Sequence, residues 1–473
     1  MNPPRGEERN VIMTAKELKD TLQYKNASAY DNITEDELDR SFAYAESYKL
    51  YLDNSKTERD AVKTSIKLAE RAGFIEYKLG DTLEVGGKYY YNNRNKTLIL
   101  IKMGTEPLEK GVYVMAAHID SPRLDLKQNP LYESDGLGLL KTHYYGGIKK
   151  YQWTTVPLAL HGVVITSEGK TVDVCIGEED DEPIFYVSDL LIHLAKDQMS
   201  KTLAEGITGE GLNIILGSEP YREEETDGAI KLNLLRILNE KYGIKEEDFI
   251  SAELTAVPAL KARDIGLDRS LIGGYGHDDK VCAYPEITAL FDSQNEEKTV
   301  IAFIADKEEI GSIGVSGMKS EIFPDILGEM CDARDANYRI VKANSKCLSA
   351  DVNAAYDPNF PEVLEKMNSA FINHGVVISK FTGSRGKSGT SDATAEFTTY
   401  IRNLFNENGV CWQMAELGKV DQGGGGTVAQ YIADRNIDTI DIGVPVLSMH
   451  APYEAISKLD LYMTYKACLA FIS

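Results

Sequence analysis

Cysteine is scarce in this chain and falls in no pattern. Six thiols, at positions 175, 282, 331, 347, 411 and 468, are spread over 473 residues with no CxxC pair and no regular spacing. That excludes a disulfide-stapled secreted scaffold and leaves the cytoplasm as the expected compartment. Long apolar runs are missing too. The opening stretch MNPPRGEERNVIMTAKELKD has none, so neither a signal peptide nor a transmembrane helix is expected. Cations are in deficit: 51 Lys+Arg stand against 74 Asp+Glu, a formal charge of −23. Nucleic acid and anionic membrane are thereby disfavoured as partners, since both need clustered cations. There are no internal repeats; residues 415–426, ending in DQGGGG, come nearest to low complexity.

What is present is a soluble globular composition, 43% hydrophobic and 26% charged, in a chain too long for one core. Two segments read as helices: DELDRSFAYAESYKLYLDNS (36–55) and TERDAVKTSIKLAERAG (57–73). The second has Val62, Ile66 and Ala69 on one face, Thr57 as N-cap and Gly73 closing it. KTLILIKMG (96–104) and GVYVMAAH (111–118) read as buried strands. From about 125 to 265 the character changes to short alternating strands. A helix is expected in VSDLLIHLAKDQM, followed by a polar loop, SEPYREEETDGAIK. This segment reads as a domain inserted into the first. Beyond 270, strand–helix alternation returns, with strands at 299–306, 346–352 and 439–450 and helices at 281–293 and 360–375. The expected fold is α/β, a mixed central sheet with helices on both faces. Residues 1–125 and 265–473 would form one discontinuous domain, and 126–264 the mainly β insert.

The polar residues gather at strand ends. His118 ends VYVMAAH, with Asp120 just after it; Asp278 and Asp279 precede a helix in GYGHDDKVCAY; Glu308 and Glu309 follow TVIAFIAD; Asp351 ends KCLSAD; His450 ends DIGVPVLSM. In open α/β sheets, ligands bind outside the carboxyl ends of the strands. Each residue alone has a plain alternative, such as a helix-start charge pair for the two aspartates. Together they need compensation, because several buried carboxylates at one edge are costly. A pair of zinc-like dications supplies it, with imidazole and carboxylate ligands. One of the paired glutamates is then left free as a general base.

With these residues in place, the sequence resembles the M18 family of metallo-aminopeptidases. The matching stretches are AAHIDSPRLDLK, GYGHDDKVCAY, DKEEIGSIG, LSADVNAAYDPN, GTSDATAE, GGGGTVAQ and VPVLSMHAPYE, in family order over most of the chain. The resemblance implies that His118 and Asp351 bind a first metal, that Glu309 and His450 bind a second, and that Asp278 bridges them. It also implies that Glu308 is the general base and that Asp120 orients His118. It implies a di-zinc exopeptidase fold, an inserted dimerisation domain, and a twelve-subunit tetrahedral shell built from dimers. Lys380 matches a substrate-facing lysine, with Arg385 close by; Asp189 and Asp357 stand where eukaryotic relatives carry histidines. Asp189 either acts in the neighbouring subunit's site or is an ordinary surface acid, a one-residue shift putting His193 in the frame. Gly425, in the GGGG run, lets backbone approach the substrate; the alternative is a surface loop.

The expected activity is release of the N-terminal residue from peptides. Acidic, neutral and basic first residues stay open, because acids replace histidines around Lys380. Zinc is the expected metal, and manganese and cobalt also suit such donors. The alternatives are a related-fold metallohydrolase (an M42-like aminopeptidase or a small-amide hydrolase) and a non-catalytic self-assembling shell.

Overall fold

The computed structural model describes residues 13–223 and 227–473. The first twelve residues of the opening stretch, and 224–226 within the expected polar loop, lie outside the described residues.

The described residues build three sheets. The largest has nine strands, and its centre is a run of four parallel ones: Val300–Ala305, Tyr113–His118, Lys346–Ala350 and Asp438–Gly443. Strand Thr97–Lys102 flanks this run antiparallel on one side and Val376–Ser379 on the other, so the sheet is mixed. Register sets the functional edge. Ala305 pairs with His118, and Ser349 with Ala116, so two residues on Asp351 comes level with His118.

Alternation along these strands fills two cores. Val300, Ala302 and Ile304 point to one face, against the helices Glu35–Asp53, His277–Asp292 and Lys458–Ile472. Ile301, Phe303 and Ala305 point to the other, against the helix Ile322–Ala333. Both faces are covered, which is why the central strands read as unbroken apolar runs. The helix Glu58–Arg71 starts at Thr57, whose hydroxyl accepts from the Asp60 amide, as the sequence predicts.

Seven strands between Arg123 and Pro258 form a separate antiparallel sheet with its own core, around Trp153, Leu158 and Phe249. A third sheet of five short strands joins residues 263–274 to 353–354 and 445–457.

Three expectations are corrected. Residues 360–375 are not a helix but two 3-10 turns, Pro361–Val363 and Lys366–Asn368. The Glu365 carboxylate takes the amides of Met367 and Asn368, which competes with helix formation, and the stripe Phe360, Val363 and Met367 faces solvent. VSDLLIHLAKDQM ends the short strand Tyr186–Val187 and then forms a 3-10 turn and the four-residue helix Lys196–Met199, with Leu190, Leu191, Ile192, Leu194 and Met199 exposed. Residues 439–450 are not one strand. At Gly443 the backbone presses on Asp351, where a Cβ would lie 1.7 Å from the Asp351 carbonyl oxygen. The chain turns there and resumes as Pro445–Leu447 in the third sheet. Sequence reasoning also missed the helix Ala229–Tyr242, entered at Gly228 and left at Gly243, both in the left-handed region.

Candidate metal centre

Seven of the residues singled out above, His118, Asp120, Asp278, Glu308, Glu309, Asp351 and His450, meet at the carboxyl edge of the four parallel strands. Asp278 is their hub. Its Oδ1 lies 3.1 Å from His118 Nε2, and its Oδ2 lies 3.1 Å from His450 Nε2. Asp351 Oδ1 is 3.8 Å from His118 Nε2, and Glu309 Oε1 is 3.6 Å from His450 Nε2. His118, Asp278 and Asp351 thus converge on one point, and Asp278, Glu309 and His450 on another.

Local backbone explains how each group arrives. His118 is delivered by its strand. Asp278 sits at the start of the helix His277–Asp292, where Asp278 and Asp279 depart from helical geometry. Gly276 allows that entry: its φ is +77°, and a Cβ would meet Lys280 Nζ at 2.8 Å and Ser121 Oγ at 2.9 Å. Glu308 and Glu309 lie in a single 3-10 turn after the strand Val300–Ala305. Their amides both donate to Asp120, at 3.1 and 3.2 Å. His450 is in a left-handed turn, its amide donating to Glu454 Oε1 at 2.8 Å.

Exposure separates the two neighbouring glutamates. Glu309 keeps 3% of its side-chain surface, Glu308 19%. One is enclosed among the donors and the other opens to the cleft. Burial pushes the Glu308 carboxyl up to about 8, with Asp351, Asp120 and Asp278 adding to the shift and His118 opposing it. Burial and the Asp278 charge raise Glu309 as well. Asp278 goes the other way: burial acts to raise it, but hydrogen bonds from the two imidazoles hold it below the usual carboxylate range. At His450, burial is outweighed by Asp278 and Glu309, and the imidazole is lifted to about 10. Without cations the cluster holds protons that bulk carboxylates would give up.

The donor set fits divalent metal. Imidazole nitrogens and carboxylate oxygens are the ligand types of zinc-like ions, and both oxygens of one carboxylate face different imidazoles. Glu309 Oε1 is buried with no hydrogen-bond partner, an orphan that a cation would satisfy. Each imidazole is set by its other nitrogen. His118 Nδ1 lies 3.1 Å from the Asp120 carbonyl and 3.3 Å from its carboxylate; His450 Nδ1 lies 2.7 Å from the Gly147 carbonyl. Nε2 is thereby left for a ligand role in both.

The remaining predicted residues lie apart from this cluster. Lys380 pairs with Asp392, which also holds Lys387 at 2.9 Å. Asp189 is exposed and accepts from the Leu190 amide and from Gln198. Asp357 caps its own turn through the Asn359 amide. The Gly425 amide donates to the Thr382 carbonyl. In the glycine run it is Gly423 and Gly424 that sit tightly, against Leu417–Gly418 and Gly383–Ser384 of the same chain. Arg385 and Gly424 help to line a cavity of about 200 Å³ beside this loop.

Glu454 was missed. It is buried and accepts the amides of both His450 and Asp278, tying the two segments together. Its only sequence signal was its place four residues after His450 in MHAPYE. Tyr145, whose hydroxyl donates to Asp120, was missed as well, and nothing in its local sequence marks it.

Comparison with known proteins agrees with this geometry. Residues 51–472 match the family model described as aminopeptidase I zinc metalloprotease (M18). A probable M18 family aminopeptidase 1 from Clostridium acetobutylicum is 50% identical over 459 residues, covering 95% of this chain and 98% of that protein. The crystal structure of an M18 aminopeptidase from Thermotoga maritima superposes with a TM-score of 0.91 at 40% identity, over 95% of this chain and all of that one. The crystal structure of aminopeptidase I from Clostridium acetobutylicum gives 0.90 at 46% identity, over 96% of this chain and all of that one. The S. cerevisiae mApe1 dodecamer shares the fold, with a TM-score of 0.73 at 23% identity over 90% of this chain. Among the described residues, no helix is long and apolar enough to cross a membrane. The chain belongs to the M18 family and is a metal-dependent aminopeptidase.

Proposed function

We propose that the enzyme works with two divalent cations, the first held by His118 and Asp351, the second by Glu309 and His450, and both by Asp278. The observation that carries this reading is the Asp278 carboxylate, whose oxygens each lie 3.1 Å from a different imidazole. When bound, the cations polarise the scissile carbonyl and acidify the attacking water. Glu308, the more open of the paired glutamates, takes a proton from that water and returns it to the leaving amine nitrogen. Asp120 keeps His118 oriented and, through the two amides it accepts, fixes the turn that carries Glu308. The free α-amino group of the peptide meets carboxylates at the same edge, which makes the enzyme an exopeptidase. Zinc is the proposed metal, with manganese and cobalt suited to the same donors.

First-residue preference turns on Lys380. An acidic side chain has to draw Lys380 away from Asp392, while neutral and basic ones need not. Asp357 and Gly425 are assigned to the walls of the same substrate region. Residues 126–264 act as the dimerisation domain, and dimers assemble into a tetrahedral dodecamer. The exposed side chains of Leu190, Leu191, Ile192, Leu194 and Met199 support that role, since an apolar strip of this length calls for a partner surface. Asp189 adjoins the strip and would reach the neighbouring subunit. The cytoplasm is the proposed location.

The test is release of the first residue from peptides beginning with Asp, Glu, Leu, Ala or Lys, with an N-acetylated control. Stripped protein is assayed, then reassayed with Zn, Mn or Co. Metal-dependent cleavage of free but not acetylated peptides is expected. Cleavage of small amides alone would instead favour an amidohydrolase, and two bound ions with no cleavage a silent shell.

A further inference from the structure

We infer that Tyr145, Gly146 and Gly147 form a positioning element that sets both metal-binding imidazoles from outside the central sheet. The inference rests on the metal reading above. These residues close the strand Leu137–Tyr145 of the seven-stranded sheet and lead into the loop before Lys150. Three consecutive residues touch the two halves of the cluster.

Tyr145 acts on the His118 half. Its hydroxyl donates to Asp120 Oδ2 at 2.8 Å. Asp120 is fully buried, and the same carboxylate accepts the amides of Glu308 and Glu309 and faces His118 Nδ1. The phenol therefore supplies a fixed donor to an anion that orients one imidazole and one turn together. Tyr145 is itself immobilised. The Arg123 guanidinium lies 4.0 Å from its ring centre, and Arg123 is held by Glu58 at 2.9 Å and Asp125 at 2.8 Å.

Gly147 acts on the His450 half through its carbonyl, which receives the Nδ1 proton at 2.7 Å. Gly146 links the two and is tightly fitted. Its φ is +76°, and a Cβ would lie 3.0 Å from Glu309 Oε2 and 3.3 Å from Pro122 Cγ. A shift of this tripeptide moves the carbonyl that accepts from His450 and the phenol that holds Asp120 against His118, and crowds Glu309 at once. The seating of the seven-stranded sheet is thus coupled to the geometry of the centre.

The test is calorimetric titration of stripped protein with Zn alone, on wild type, Tyr145→Phe and Gly146→Ala, with thermal unfolding of each stripped protein. Tyr145→Phe keeps the ring stacked on Arg123 and removes only the donor. Its zinc affinity is expected to fall about 10–100-fold, the usual effect of losing a partner of a ligating histidine. The melting temperature of its stripped form should stay near wild type, and kcat should fall with little change in KM. Gly146→Ala provides an independent second variant, expected to weaken zinc binding through Glu309. The exposed neighbour in Tyr144→Phe should change nothing. Wild-type zinc affinity in both Tyr145→Phe and Gly146→Ala overturns the inference and leaves the metal reading intact. A drop in the stripped protein's melting temperature at unchanged affinity marks a merely structural role and also overturns it. A wild type that takes up no zinc overturns the metal reading, and the inference with it.

Discussion

Two places in the molecule hold a buried imidazole between carboxylates, and they differ in one respect. At His161, Nδ1 meets Asp60 at 2.9 Å and Nε2 meets Glu178 at 3.0 Å, and Glu178 is also paired with Lys261 at 2.9 Å. Each ring nitrogen has its own acceptor, and the charges cancel locally. At the carboxyl edge of the central sheet, two imidazoles converge on a single carboxylate instead. There Asp120, Asp278, Asp351, Glu308 and Glu309 crowd around His118 and His450, with the buried Lys280 close by, and among the described residues Glu309 Oε1 has no hydrogen-bond partner. Histidine–carboxylate contact by itself therefore marks an ion pair. Shared donors with an excess of negative charge are what the proposed metal centre has and the ion pair lacks.

That contrast can be broken by substitution. Asp278→Asn removes the shared donor and should abolish peptide release together with uptake of both ions, the largest effect expected. Elemental analysis beside the peptide assay checks it. Glu308→Gln should keep both ions and lose about 10²–10⁴-fold in kcat, the range for a general base; steady-state kinetics with ion content separates it from a ligand loss. His161→Gln should leave kcat and KM alone and cost about 3 kcal/mol of stability, the low end for one partner removed from a buried pair because Asp60 is partly exposed.

The His161 effect should depend on pH with a definite sign. Burial acts to lower this imidazole, but hydrogen bonds to Asp60, Cys175 and Glu178 lift it from 6.5 to about 11. Its contribution is complete below 6.5 and is lost as pH rises toward 11. Burial acts to raise Glu178, but His161 and Lys56 bring it from 4.5 to about 2, so its contribution is complete above 4.5 and is lost as pH falls toward 2. The melting-temperature gap between wild type and His161→Gln should be widest between about pH 4.5 and 6.5 and shrink toward pH 10. The smallest effect expected is from Asp392→Asn. Freeing Lys380 should shift the peptide ranking several-fold toward acidic first residues, about 1 kcal/mol for an exposed pair.

The sequence made the centre legible because its residues follow strands whose apolar runs are unmistakable. His118 ends a buried strand, Asp351 and Glu308–Glu309 come within a few residues after one, and the parallel order brings those ends together. His450 was found through its context, although its strand breaks at Gly443 and it lies in a turn. Residues 360–375 and VSDLLIHLAKDQM misled, because their apolar spacing is helical while many of the apolar side chains, Phe360, Val363, Met367, Leu191 and Leu194 among them, face solvent. Tyr145, Gly147 and Glu454 could not be found locally. Each contributes a carbonyl, hydroxyl or carboxylate whose partner is distant in sequence or visible only once the backbone is folded.

The most direct test of the account is the number of ions bound per chain, measured by titrating zinc into stripped wild type and Asp278→Asn while following peptide release. The account predicts two ions per chain in wild type, with activity needing both, and neither held tightly by Asp278→Asn. A single ion at full activity, or two ions retained by Asp278→Asn, would contradict it.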